Sequence, residues 1–384
     1  MSEVKYVVVN IVETLLRMLP FPCKTGVIKI GNPDRQSPVF LTCNFHLTVE
    51  RVKRALRGMD CYLLVANSRG INVWCAATGG LFTNHDAISA LKTSGIEDLV
   101  DHKQVILPQL AGAGIEAKAV QKKTGWRVVW GPVYAEDIPA FVENEFEKDS
   151  EMRTARFPWT QRVEAAAFWG FPTSVVAAIL AFLFWREAVL SLVLLIWGMG
   201  LAILLSLPLY RHLIGSEGKK SGLISFERGG LQLILWGIFM LGLVAYAVLI
   251  ENFTWGWVIR WGVTSFVVIL IFSVDLRGFT PVYKGNFLDG ESIKVSLDSS
   301  KCKGTGFCEQ VCPRNCFEID RQQRIATMPR ADSCIQCGAC IVQCPFDALY
   351  FESAGGEIIP PETTRRFKLN LMGKRLTKVS GDAD

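Results

Sequence analysis

The residues richest in possible chemistry lie between Cys302 and Cys344, a stretch holding eight of the chain's 12 cysteines. Its first half reads CKGTGFCEQVCPRNC and its second CIQCGACIVQCP. The second half is a complete C-x2-C-x2-C-x3-C-P run, the spacing that holds cubane iron–sulfur clusters. One short loop presents three thiolates, and the proline turns the chain so that the fourth reaches a neighbouring cluster. A zinc site takes four ligands from two knuckles and has no use for the C-x3-C-P tails. A disulfide framework implies an oxidising compartment, for which the sequence gives no sign.

The two halves form an internal repeat: Cys302 falls on Cys334, Gly306 on Gly338, Cys308 on Cys340, Cys312 on Cys344 and Pro313 on Pro345, whereas Cys337 falls on Thr305. By crossed ligation, Cys334, Cys337, Cys340 and Cys312 are expected to complete a [4Fe–4S] site. The other site keeps Cys302, Cys308 and Cys344, opposite Thr305. FCEQVCPRNCFEID resembles seven-iron ferredoxins, whose first cluster is [3Fe–4S]. The second cluster is thus [3Fe–4S] or [4Fe–4S]. Either Cys316 rescues a fourth iron there, or the site keeps three irons, or a non-cysteine ligand completes it. An α+β two-cluster ferredoxin domain is expected over 299–355, followed by a polar tail over 356–384.

A ferredoxin is a wire, so the remaining chain must supply a source or a destination for electrons. With 50% hydrophobic residues and a mean hydropathy of +0.27, 384 residues are too apolar for one ordinary soluble domain. Net charge is only +5, and no basic cluster interleaved with aromatics occurs, which argues against nucleic acid as a partner. The opening MSEVKYVVVNIVETLL has neither a basic leader nor a small-residue cleavage site, so no secretory signal is expected. Four apolar runs, Ala165–Trp185, Ala188–Tyr210, Gly229–Ile250 and Gly256–Val274, each approach the roughly 20 residues that cross a bilayer. They predict a four-helix transmembrane domain over 163–275 and a linker over 276–298. Arg153, Arg156 and Arg162, then Arg211, Lys219, Lys220 and Arg228, then Arg277 and Lys284 fall on one side of that arrangement. The positive-inside rule places both termini and both soluble domains on the cytoplasmic side of the inner membrane. Ionisable residues are nearly absent from the runs, so they read as an anchor rather than a transport path.

Residues 1–150 alternate strand-like runs (Val39–Cys43, Cys61–Ala66, Asn72–Ala76, Val105–Leu107, Arg127–Trp130) with helical ones (Val49–Arg57, His85–Lys92, Gly114–Lys123, Glu136–Phe146). This predicts an α/β domain with a largely parallel sheet. There is no glycine-rich phosphate motif and no nucleophile elbow. His85 reads as a solvated first-turn residue, and spacing suggests no partner for His46 or His102. In GINVWCAATGG, residues 70–80, Cys75 reads on spacing alone as a buried structural thiol at a strand end. Alternatively, small residues there let a large flat ligand approach the backbone with Cys75 projecting into it.

The stretch resembles the cap-helix motif of the corrinoid protein of microbial mercury methylation, an N-V/I-W-C-A-A/S-G-K sequence whose cysteine faces the corrinoid cobalt from below. The likeness continues through QVILPQLAGAGIEAKAVQKKTGWRVVWGPVYAEDIPAF, residues 104–141, and includes a following membrane domain. It implies a corrinoid (cobalamin-type) cofactor met by Asn72, Val73, Trp74, Cys75, Ala76 and Ala77, with Cys75 as the catalytic cobalt ligand. That family also works with a two-cluster ferredoxin, here fused. The histidine-type corrinoid signature D-x-H-x-x-G is absent from the sequence. Thr78 and Gly79 stand where the family has Gly-Lys, and no cysteine pair follows Cys344.

The resemblance implies methyl transfer from cobalt to an acceptor, mercuric ion in that family or another acceptor in a paralogue. A methyl donor protein or methylated pterin would load the corrinoid, and a low-potential electron donor would feed the clusters. A thiolate below cobalt is a soft ligand that stabilises the methylated metal, and iron–sulfur clusters reach the low potentials needed to reset it. Two other readings rest on the same residues. One is a membrane electron-transfer subunit passing electrons to a quinone or partner complex, without corrinoid. The other is a redox sensor using the incomplete Thr305 site.

Overall fold

The computed structural model describes residues 3–210, 226–249, 254–273, 293–353 and 355–366, with backbone alone for 226–233. They fall into two units, Met1–Leu19 with Phe157–Gly290, and Pro20–Arg156 with Glu291–Asp384. The chain's first helix, α1 (Glu3–Leu15), belongs to the former.

In the second unit, β1 (Gly26–Ile30), β2 (Val39–Cys43), β3 (Cys61–Ala66), β4 (Gln104–Leu107) and β5 (Arg127–Trp130) form one sheet in the order β1-β3-β2-β4-β5. All pairings are parallel except that of β1, which runs antiparallel at the edge with Gly26 opposite Val65. Every residue of β2 and β3 is buried, as expected for central strands covered on both faces. Helices α2 (His46–Ala55), α4 (Asn84–Thr93), α5 (Ala117–Thr124) and α6 (Ile138–Glu143) lie near the expected positions. Thr83 and Asp86 make a capping box at the start of α4, which satisfies two orphan donors, and His85 is exposed in its first turn. A last short helix, α7 (Ser150–Arg153), precedes the apolar segment.

One element differs from the sequence reading. Residues 72–76 do not form a strand: α3 (Val73–Thr78) is a helix with Asn72 as N-cap. The Asn72 side chain accepts the Cys75 N–H at 3.0 Å. A β-branched residue beside tryptophan mimics a strand, but the cap and the alanines after it settle the local contest for helix.

The loop entering α3 is fixed by a buried amide. Asn44 Oδ1 accepts from Ser68 N at 2.8 Å, Ser68 Oγ at 3.0 Å and Gly70 N at 3.0 Å, while Nδ2 donates to Cys23 O at 3.3 Å. Replacing Asn44 by alanine orphans these groups in the interior. Each buried unpaired group costs about 1–3 kcal/mol, so Asn44→Ala should lower the denaturant midpoint of the α/β domain, measured by urea titration.

The C-terminal part of the same unit is a small α+β domain. β6 (Ile293–Leu297), β9 (Leu349–Ser353) and β10 (Ile358–Ile359) form one antiparallel sheet, and β7 (Glu318–Asp320) pairs with β8 (Ile325–Thr327). The sequence repeat is visible as two equivalent short helices, α13 (Phe307–Val311) and α14 (Ala339–Gln343). Each starts from a left-handed glycine, Gly306 at φ 79° and Gly338 at φ 73°, a conformation that a side chain disfavours. A closing helix, α15 (Pro361–Arg366), follows.

The first unit is helical. α8 (Trp159–Phe184), the 186–205 segment containing α9 (Val189–Leu205), and α12 (Trp255–Ser273) supply three helices long and apolar enough to cross a membrane. The short α10 (Leu207–Tyr210) follows α9. The run expected over 229–250 coincides with α11 (Phe226–Leu249), whose described apolar part, Ile234–Leu249, is shorter than a span. Three of the four expected runs therefore form, among the described residues, helices long and apolar enough to cross a membrane. Arg211, Lys219, Lys220, Arg277 and Lys284, the side chain of Arg228, much of the linker and most of the tail lie outside them. α8 turns Ala165, Ala166, Ala167 and Gly170 inward, while Val176, Ile179, Phe182 and Leu183 are exposed. Small residues inside and large apolar ones outside is the arrangement of helices packed in lipid. The Arg260 guanidinium lies 5.4 Å from the Trp185 ring centroid.

Candidate functional site

The repeated cysteines gather into two groups by the crossed rule. Cys302, Cys308 and Cys344 line one void with Thr305. Cys312, Cys334, Cys337 and Cys340 line another. The spaces they line, open mouths included, are of similar size, about 330 and 290 Å³. Among the described residues, no three cysteine, histidine or carboxylate side chains converge on a single metal ion. Thiols spread around a void suit a polynuclear cluster.

The donor set fits such a group. Burial pushes the Cys308 thiol up to about 12 and Cys340 well above its ordinary value, so these sulfurs become thiolates readily only with a cation beside them. Backbone N–H groups already point at several sulfurs: Ala326 at Cys302 (3.4 Å), Ala348 at Cys344 (3.4 Å), Gln336 at Cys334 (3.4 Å) and Cys316 at Cys312 (3.3 Å). Such hydrogen bonds raise a cluster's potential.

Cys316 lines the second void, not the first. It is fully buried and hydrogen-bonded to Cys312 and Cys334, which pushes its own pKa up, while its bond to Cys312 lowers that of Cys312. Of the alternatives for the Thr305 site, rescue by Cys316 meets a residue placed elsewhere: Cys316 is a fifth thiol beside the other group. Thr305→Cys supplies the missing thiolate and should add about one iron per chain, measured by iron analysis after anaerobic purification.

The cap residues divide by face. Val73, Trp74, Ala76 and Ala77 are buried in the domain core, whereas Asn72, Cys75, Thr78 and Gly79 are half-buried along the outward face. Ala76 and Ala77 therefore pack inward. Gly114 lies so close to Ala77 that a Cβ on it would sit 2.7 Å from the Ala77 carbonyl. Thr78 Oγ donates to Trp74 O at 2.8 Å. Of the expected cofactor contacts, only Asn72 and Cys75 are half-buried, Cys75 packing at the edge of the core cluster and Asn72 Oδ1 accepting its N–H, beside the two positions where the motif departs from its family. His102 instead bonds Ser37 O at 3.0 Å and meets the Trp126 ring edge-on, and the His46 N–H donates to Phe21 O.

Residues 301–348 match the 4Fe-4S dicluster domain. That supports iron–sulfur clusters as the occupants of the two cysteine groups. Residues 17–142 match the CO dehydrogenase/acetyl-CoA synthase delta subunit family. The same region is similar to gamma subunits of the acetyl-CoA decarbonylase/synthase complex. It is 35% identical to that of Methanopyrus kandleri (33% of this chain, 27% of the relative), 34% to that of Methanocaldococcus jannaschii (34% and 26%) and 36% to that of Methanothermobacter thermautotrophicus (31% and 26%). The chain thus spans about a quarter of the length of the curated relatives it matches.

The dicluster domain is docked onto the α/β domain within one unit. Gln343, buried at the end of α14, donates to Gly112 O at 2.7 Å and Ile115 O at 2.6 Å and accepts from Ala117 N at 3.1 Å. Its counterpart in the repeat is Val311, whose side chain would lie 3.6 Å from a Cβ on Gly112. The 109–113 turn is thus gripped by the residues that precede the two bridging cysteines, Cys312 and Cys344. The same turn packs on α3. Val311, Cys337 and Ala339 are buried in one apolar cluster with Trp74, Ala76, Ala111 and Ala113. A glutamine where the repeat has valine was the available sequence signal.

Lys148 is the other latch. Its Nζ donates to Gln109 Oε1 at 2.6 Å, Gly131 O at 3.0 Å and Gln310 O at 2.8 Å, and none of these acceptors is anionic. Burial, with Arg153 nearby, holds its pKa well below 10.5. The unfolded chain therefore binds this proton more tightly than the folded one. Stability from this residue is full above the unfolded pKa of about 10.4 and is lost as pH falls toward the depressed folded value. Lys148→Met should remove that component of the alkaline rise in stability, measured as the difference in unfolding midpoint between neutral and mildly alkaline pH.

Proposed function

We propose that this chain is a membrane-anchored corrinoid iron–sulfur protein that transfers a methyl group from cobalt to an acceptor and carries its own reductase domain. When bound, the corrinoid supplies the methyl-carrying cobalt and the bond-making chemistry. The chain's residues do the rest. Cys75 of α3 would offer its thiolate to the cobalt, and the Asn72 cap fixes the turn that carries it. The residues Val73, Trp74, Ala76 and Ala77 hold the helix against the sheet. The mercury-methylation motif and the acetyl-CoA synthase-type match of residues 17–142 both support this reading. Mercuric ion is one candidate acceptor, and the methyl donor is a protein or a methylated pterin. The apolar helices hold the protein at the cytoplasmic membrane, with both soluble domains on the cytoplasmic side.

The observation that carries the reading is the burial of Cys337 in one apolar cluster with α3 and the 109–113 turn. Of the two cysteine groups, the one built from Cys312, Cys334, Cys337 and Cys340 abuts the cap helix's own core. Electrons would leave through this group and enter through the Cys302–Cys308–Cys344 group. The experiment is stopped-flow reduction of cobalamin-loaded protein by a reductant that meets the clusters first. A rate independent of protein concentration supports transfer within one chain. A rate proportional to concentration refutes it.

A further inference from the structure

We propose that the apolar stripe of α1 is a lipid-facing surface that lies against bilayer acyl chains beside α8. This rests on the reading that α8 spans a membrane.

The helix is inverted relative to a soluble one. Val4, Val7, Val8, Ile11 and Val12 follow the i, i+3, i+4, i+7, i+8 spacing of a single helical face. That face is exposed, with Val4 at 74% and Ile11 at 55%, whereas Glu13 and Thr14 are buried at 7% and 9%. A helix in water turns such a stripe toward the protein; here the stripe faces outward while Glu13 and Thr14 face inward. α1 packs against α8, and just beyond its end Arg17 pairs with Glu164 of α8 at 3.0 Å. The pair is partly buried, with side-chain exposures of 28% and 17%.

What covers the stripe follows from its neighbour. α8 is a candidate span whose outer face carries Val176, Ile179, Leu180 and Leu183, all exposed. Met18 and Leu19 prolong the exposed apolar surface past the end of α1. Glu13 and Thr14 of α1 are turned inward, while the charged Glu3 and Lys5 stay exposed at its N-terminal end; the exposed apolar surfaces of α1 and α8 belong to one helical unit and call for one solvent. Lipid is the medium in which apolar exteriors and polar contacts between helices are both favourable. The N-terminal segment would thus be part of the anchor, not a leader to the α/β domain.

The test places a genetically encoded benzophenone at Val8 in the full chain, reconstituted in phosphatidylcholine/phosphatidylglycerol vesicles with radiolabelled acyl chains. Ile179 in α8 serves as the lipid-facing reference and Lys122, exposed on α5, as the aqueous one. After irradiation, label transfer at Val8 should match that at Ile179 and exceed that at Lys122 several-fold. Labelling at Ile179 without labelling at Val8 overturns the proposal and leaves the spans intact. A cross-link from Val8 to a second copy of the chain also overturns it. Absence of labelling at both Val8 and Ile179 overturns the spanning reading and this inference with it.

Discussion

Replacing Cys75 with alanine should lower methyl transfer by at least about 10–100-fold, the range lost when even an outer-shell partner of a metal site is removed, while leaving iron content unchanged. The reason is local. Cys75 is the sole thiol of α3, and it sits on the outward face together with Asn72, Thr78 and Gly79. Its backbone N–H is bound by the Asn72 side chain, so the substitution leaves the cap and the buried residues of the helix in place. On the proposed reading the thiolate is what the chain would contribute to the cobalt, and alanine removes it without changing any of the clustered cysteines. Cys75→Ser is the informative companion: an oxygen donor preserves the geometry but is harder than sulfur and suits the metal less. Activity at the wild-type level in Cys75→Ala, with cobalt still bound, would remove Cys75 from the axial position and leave it a structural thiol.

The second large effect concerns the joint between the domains. Gln343→Ala removes two donated bonds and one accepted bond, leaving Gly112 O, Ile115 O and Ala117 N without their partner in a buried interface. At about 1–3 kcal/mol for each orphaned group, the docked arrangement should lose several kcal/mol, offset only by water entering the gap. The cysteines are untouched, so iron content should stay constant. Two readouts should move together: faster hydrogen exchange at the amides of residues 112–117, and slower electron delivery from the clusters to bound corrinoid. Gln343→Leu, matching the apolar character of Val311 in the repeat, should restore volume but not the bonds, and fall between the two. Unchanged exchange at 112–117 in Gln343→Ala would show that Gln343 does not hold the domains together.

Much of this was legible in the sequence because it is written in short-range spacing. The crossed cysteine groups follow from C-x2-C-x2-C-x3-C-P alone, and four of the five sheet strands follow from short apolar runs between turns. β1 was missed because Gly26–Ile30 is a half-buried edge strand, antiparallel to its neighbour, and its five residues lack a clean pattern. Residues 72–76 were misread because Val73 and Trp74 favour a strand while the deciding bond comes from the Asn72 side chain. The docking of the two domains is non-local. Gln343 reaches residues more than 220 positions away, and a glutamine in a short helix ordinarily faces water. The sequence offers Cys316 as one possible ligand of the Thr305 site, and its burial beside Cys312 and Cys334 places it with the other group.

The central claim is that a corrinoid sits at Cys75 in a chain that also carries its reductant. The measurement that tests it most directly is cobalt and iron content, with an absorption spectrum, on anaerobically purified full-length protein supplied with cobalamin. The account predicts about one cobalt per chain alongside the iron of two clusters, and a spectrum that changes in Cys75→Ala as the axial donor is lost. Iron without cobalt would contradict it, leaving a dicluster electron-transfer protein whose α/β domain is a docking module.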